Sequence, residues 1–253
     1  MQSGSAFDGL VRACRYSFIT NRLGYCGSEG AFGQFDEFLK NPSPALADKI
    51  RALFPTFPGL YAYLRLIGES NGLQPLDSRV VEAYWLGNEL LGAVPSDAVA
   101  GMIRRDLCGP GLLPKTVAEA KASPLIGLPA VYPHHSFHVL HVNFVTGKVE
   151  PVLPNLNKCI IQWGKVESVD SAGLQVAGIR LDVGEGGFFL TDTTKRIARG
   201  LACDVAAGDW VSIHWDCAIE AISRRQAGAL KRYTLENIRL ANSIRFSALP
   251  SSP

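Results

Sequence analysis

Residues 159–170 read CIIQWGKVESVD, and residues 208–227 read GDWVSIHWDCAIEAISRRQA. Both are dense in β-branched and aromatic residues and broken by Gly and Asp, which marks short strands rather than helices. Two more such runs lie between them, LQVAGIRLDV at 174–183 and GGFFLTD at 186–192. Strands at intervals of about ten residues predict a small β-barrel over residues 158–222. Gly184, Gly186 and Gly187 read as a hairpin turn, since no strand-then-helix context supports a phosphate loop. Along the last strand, alternation places Val211, Ile213 and Trp215 on one side. Trp210, Ser212, His214 and Asp216 lie on the other, which puts His214 on the more polar face.

Working outward from this core, helical periodicity returns at 223–246. Leu230, Tyr233, Ile238, Ala241 and Ile244 share one face, and Arg225, Arg232 and Arg239 lie opposite. Six Lys or Arg against one Glu make this helix basic, a docking face for an acidic partner or simply a solvated surface. A short tail, SALPSSP, closes the chain at 247–253.

On the N-terminal side, residues 1–123 carry helical spacing broken by NPSP, FPTFPG and CGPG. Helices are expected near Phe7–Thr20, Ala31–Lys40, Ala45–Phe54, Tyr61–Ser70 and Pro95–Leu107. The clearest begins at the N-cap Asp77 and runs to Gly92. Residues 124–157 read as a β-rich connecting region, because SFHVLHVNFV favours a strand. The fold class is therefore α+β: an all-α domain, a small barrel and a C-terminal helix.

With 47% apolar residues in 253, the chain has enough material for a large core. A net charge of +2 is too small for a whole-chain grip on nucleic acid or an anionic membrane. The longest uncharged stretch, Ala122–Gly147, contains three Pro and four His and does not read as a membrane span. No export signal opens the sequence, so a cytoplasmic location is expected. There the six cysteines stay reduced, and none forms a C-x-x-C pair.

Cys159 followed by Gly164, Lys165 and Val166 with Glu167 and Asp170 beyond, and then Gly208, Asp209, Trp210, Val211, His214, Ala218 and Ile219, together resemble the HypC/HupF family of nickel–iron hydrogenase assembly chaperones. The resemblance covers 69 of 253 residues, with Trp163 where the family has Pro and with Cys159 internal rather than at the chain terminus. It implies an accessory role in hydrogenase maturation, with a transient Fe(CN)2CO fragment as cargo and no nucleotide or flavin. It also implies that Cys159 and His214 are the metal ligands. The implied partners are the hydrogenase large-subunit precursor and a HypD-like scaffold protein. A thiolate suits low-spin iron, and a neutral imidazole supports it without adding charge. The whole chain also looks like an uncharacterised hydrogenase-associated bacterial family, through LGYCG at Leu23–Gly27 and VVEAYWLGNELL at Val80–Leu91.

Four of five histidines sit in PHHSFHVLH: His134, His135, His138 and His141. On a helix opened by Pro133, His134, His138 and His141 would share one face and suit a metal. On the strand that Phe137, Val139, Val142, Phe144 and Val145 favour, His134 and His138 are about 13 Å apart, too far for one metal, and the four histidines are then expected to line a cleft bordering Cys159 and His214. Two other function classes remain open. A thiol enzyme would use Cys159 as nucleophile and His214 as base. An oligonucleotide-binding barrel would stack bases on Trp163, Trp210 and Trp215, which the low net charge disfavours. Glu82 and Glu89, seven residues apart on the expected Asp77 helix, share a face and read as solvent charges or capping groups.

Overall fold

The computed structural model describes residues 7–202 and 204–247, with side chains as far as 245. The chain divides into two compact units, residues 1–133 with 144–149 and residues 134–143 with 150–253. Its class is α+β. Most of the tail and Cys203 lie outside the described residues.

The first unit is helical: α1 (Asp8–Arg22), α2 (Ala31–Lys40), α3 (Pro44–Leu53), α4 (Pro58–Asn71), α5 (Ser78–Trp85), α6 (Ser96–Asp106) and α7 (Lys115–Ala122). The start signals act as their chemistry dictates. Ser43 accepts from the Leu46 N–H ahead of Pro44, and Asp77 accepts from the Arg79 N–H. The core is aromatic, with Phe35 stacked on Phe54 and Tyr16 stacked on Trp85. The helix expected from Asp77 to Gly92 stops early, at Trp85. Gly87 takes a positive φ of 87°, and Asn88 then caps a separate 3-10 turn, Glu89–Ala93, by accepting from the Leu90 N–H. Glu82 and Glu89 thus do not share a helix.

The second unit opens with a three-residue helix, α8 (His135–Phe137), that runs into a single π-helical turn, His138–Val142. Next come α9 (Leu153–Cys159), five strands and α10 (Arg224–Ser247). Residues 124–157 contain no strand, so the expectation of a β-rich connecting region is corrected. Phe137, Val139, Leu140 and Val142 are all buried, and a run buried on every side carries no alternation to tell a strand from a helix. Local chemistry tips the balance toward a helix: the His134 ring accepts from the Ser136 N–H as an N-cap.

The strands β1 (Gln162–Asp170), β2 (Gly173–Gly184), β3 (Gly187–Ile197), β4 (Trp210–His214) and β5 (Cys217–Ile222) pair antiparallel in the order β3-β2-β1-β4-β5. Val166, Leu174, Val176, Ile197, Val211, Ile213 and Ala218 form the core of this sheet. The ladder does not close into the expected barrel. β3 and β5 are its two edges; the parallel bridge Ala198–Cys217 and the Leu201 N–H on the Ala218 carbonyl join the stretch after β3 to β5. The run GDWVSIHWDCAI is two strands rather than one. Trp215 and Asp216, at φ 51° and 57°, make a two-residue turn with both residues left-handed.

Candidate metal centre

Three elements of the second unit bring three donors together. Cys159 ends α9, His214 ends β4, and His135 begins α8. Their ligand atoms all lie within 4.8 Å of one another, and all three residues are buried. Cys159 and His214 are 6% and 1% exposed.

The hairpin and helix that carry these side chains are fastened to each other. The Trp215 N–H donates to the Lys158 carbonyl at 2.8 Å, and the Lys158 ammonium pairs with Asp216 at 3.1 Å. Two successive left-handed residues, one a tryptophan, cost on the order of 1–2 kcal/mol each. Such strain persists where surrounding structure over-determines it, and the contacts from Lys158 do that here. On the inner side of β4, Val211 and Ile213 belong to the sheet core, so alternation turns His214 to the opposite face.

His135 is bound tightly to this corner. Its Nε2 donates to the Cys159 carbonyl at 3.0 Å and lies 3.9 Å from the Cys159 Sγ. Its ring meets that of His214 edge to face, with centroids 5.4 Å apart. Burial, reinforced by the neighbouring His214, His138 and His134 rings, holds the His135 pKa well below the usual imidazole value. A neutral imidazole is the form in which histidine can ligate a metal. Two imidazoles and a thiol without a carboxylate suit zinc, iron or copper over magnesium and calcium.

The other histidines take separate places. His134 caps α8, pairs through Nδ1 with the Ser136 hydroxyl at 2.8 Å and stacks on Tyr233 of α10. Asn237 of α10 donates to the same hydroxyl at 3.0 Å. The His138 ring lies 6.2 Å from that of His135, and burial pulls its pKa down to about 4. His141 stacks on Phe137. Sequence reasoning placed His135 only among cleft-lining residues, because a strand reading hides which histidine faces Cys159. Histidine is not among the usual N-cap residues, so the cap that His134 makes on Ser136 left no signal in the sequence.

Arg225, Arg232 and Arg239 are exposed along α10, with Arg239 paired to Glu236 at 2.8 Å and Arg232 over the Tyr233 ring. Trp163 and Trp215 are buried, which leaves little of the expected base-stacking platform. Among the described residues, no helix is long and apolar enough to cross a membrane.

No curated protein and no solved structure matches the chain. Residues 5–248, nearly the whole length, match the family of unknown function DUF6390, and the chain belongs to that family.

Proposed function

We propose that the chain is an accessory protein of nickel–iron hydrogenase maturation, in which a HypC-like second unit holds the Fe(CN)2CO fragment through Cys159 and His214. The single observation that carries this reading is the meeting of these two residues, distant in sequence, in one buried cluster. The five antiparallel strands, with one bridge between the sheet edges, are compatible with a partly open OB-like barrel. A buried thiolate gives low-spin iron a soft donor and keeps water from the bound cyanides. The helical first unit and the exposed arginines of α10 are then the surfaces for the large-subunit precursor or a HypD-like scaffold, in the reducing cytoplasm.

The test is made in a hydrogenase-expressing host. Cys159→Ser and His214→Ala, each at wild-type abundance, should lower the yield of mature large subunit, and purified wild-type protein should carry cyanide and carbonyl infrared bands. Normal maturation with the Cys159→Ser protein overturns the reading.

A second reading, a thiol enzyme, draws on the 3.9 Å separation of Cys159 Sγ and His135 Nε2. It needs an imidazolium to hold a thiolate, and burial opposes that charge on His135. Iodoacetamide should therefore label exposed Cys26 before buried Cys159. The reverse order would favour the enzyme.

A further inference from the structure

The segment that resembles the hydrogenase chaperones begins at Cys159, and His135 lies outside it. We infer that His135 is a third donor, so that the chain holds a divalent first-row metal, or the iron of the cargo, with a His2Cys tripod rather than a two-residue clamp. The inference deepens the proposal above, but it concerns metal binding alone and is tested apart from hydrogenase.

Three observations converge on it. The first is distance. Nitrogen and sulfur donors on one metal, with bonds of about 2.1 and 2.3 Å, sit about 3.5 Å apart in a tetrahedral site. His135 Nε2 and Cys159 Sγ are 3.9 Å apart, and the whole donor set fits within 4.8 Å, so shortening the separations by about 0.4 Å to about 1.3 Å closes the tripod. The second is rigidity. His135 is the first residue of α8, and that helix is fixed on one side by the His134 cap and on the other by Asn237, which donates to Ser136. The third is chemistry: all three groups are buried, and a metal is the partner that two imidazoles and a thiol share.

The protons balance simply. His135 carries its proton on Nε2 in the metal-free chain, because that nitrogen donates to the Cys159 carbonyl. If the metal takes Nε2, the proton moves to Nδ1 and the ring stays neutral. The Cys159 thiol releases its proton to solvent and binds as thiolate. Three protein donors leave three positions of an octahedral iron, the number that two cyanides and one carbon monoxide require.

A rival role for His135 is purely structural: it satisfies the Cys159 carbonyl and nothing more. Co2+ and Zn2+ titrations of the full chain separate the two. Wild-type protein should bind one Co2+ with a thiolate-to-cobalt absorption band. Both His135→Ala and His135→Gln should weaken binding by at least about 100-fold, the upper end of what loss of an outer-shell partner costs. Gln retains a donor for the Cys159 carbonyl, so near-wild-type affinity in His135→Gln means that the ring only donates a hydrogen bond, and it overturns the inference. Imidazole nitrogen spectra of the wild-type chain with Zn2+ read the same question without any substitution. Two histidine rings should shift to the metal-bound pattern; a shift in one ring alone, or no Co2+ binding by wild type, overturns the third donor. A one-ring shift at His214 leaves the two-residue clamp of the proposed function standing, and the infrared test decides that separately.

Discussion

His138 illustrates what burial does to a single titratable side chain. Its pKa is pulled from 6.5 down to about 4, so the folded chain keeps the ring neutral where the unfolded chain protonates it. Because the folded value is the lower one, this contribution to stability is complete above the unfolded pKa and is lost as the pH falls from 6.5 toward 4. The full loss is on the order of 3 kcal/mol. His135 is shifted in the same direction and adds to the effect. Thermal unfolding of the metal-free chain should show the midpoint dropping between pH 6.5 and about 4, and His138→Gln should make that drop shallower. An unchanged slope in the variant would mean that His138 is not held neutral by the fold.

At the scale of elements, close approach of backbones decides more than propensity. Gly9 in α1 lies against the start of α5, where an added Cβ would collide with the Leu76 carbonyl and come within 2.8 Å of the Ser78 nitrogen. Alanine improves the helix by about 1 kcal/mol, but overpacking against backbone costs about 1–3 kcal/mol. Gly9→Ala should therefore destabilise the chain by up to about 2 kcal/mol in urea unfolding. Gly33, in α2, is the internal control: a Cβ there meets nothing within 4 Å, so Gly33→Ala should be neutral or stabilising by up to about 1 kcal/mol. If both substitutions stabilise, the tight contact between α1 and the residues before α5 is not formed in solution.

For the molecule as a whole, a metal that binds only the folded chain stabilises it by mass action. Free Zn2+ at a hundred times its dissociation constant should add about 2.7 kcal/mol, seen as a raised Tm that a chelator reverses. Cys159→Ser should abolish most of that increment, because an alcohol is a poor substitute for a thiolate ligand, with the metal-free Tm of each protein as its own baseline. An equal metal-induced rise in wild type and Cys159→Ser would place the binding elsewhere in the chain.

The sequence by itself determined the elements whose signals are local. The Asp77 and Ser43 caps, the breaks at FPTFPG and CGPG, the alternating strands from Gln162 to Ile197 and the amphipathic face of α10 all rest on neighbours within a few residues. Cys159 and His214 were singled out by the resemblance to the hydrogenase chaperones and by no local signal of their own, and the structure brings the two side chains together. Only the tertiary structure decided that PHHSFHVLH is helical, because its apolar residues are buried all round and carry no period. It likewise decided that the strand through His214 ends there. The left-handed turn at Trp215 and Asp216 is sustained by the Lys158 carbonyl and ammonium, two groups on a different element. The third donor follows from both: which of four histidines meets a cysteine depends on the helical phase of one short segment and on the packing that sets it, and neither is written in the spacing of the residues alone.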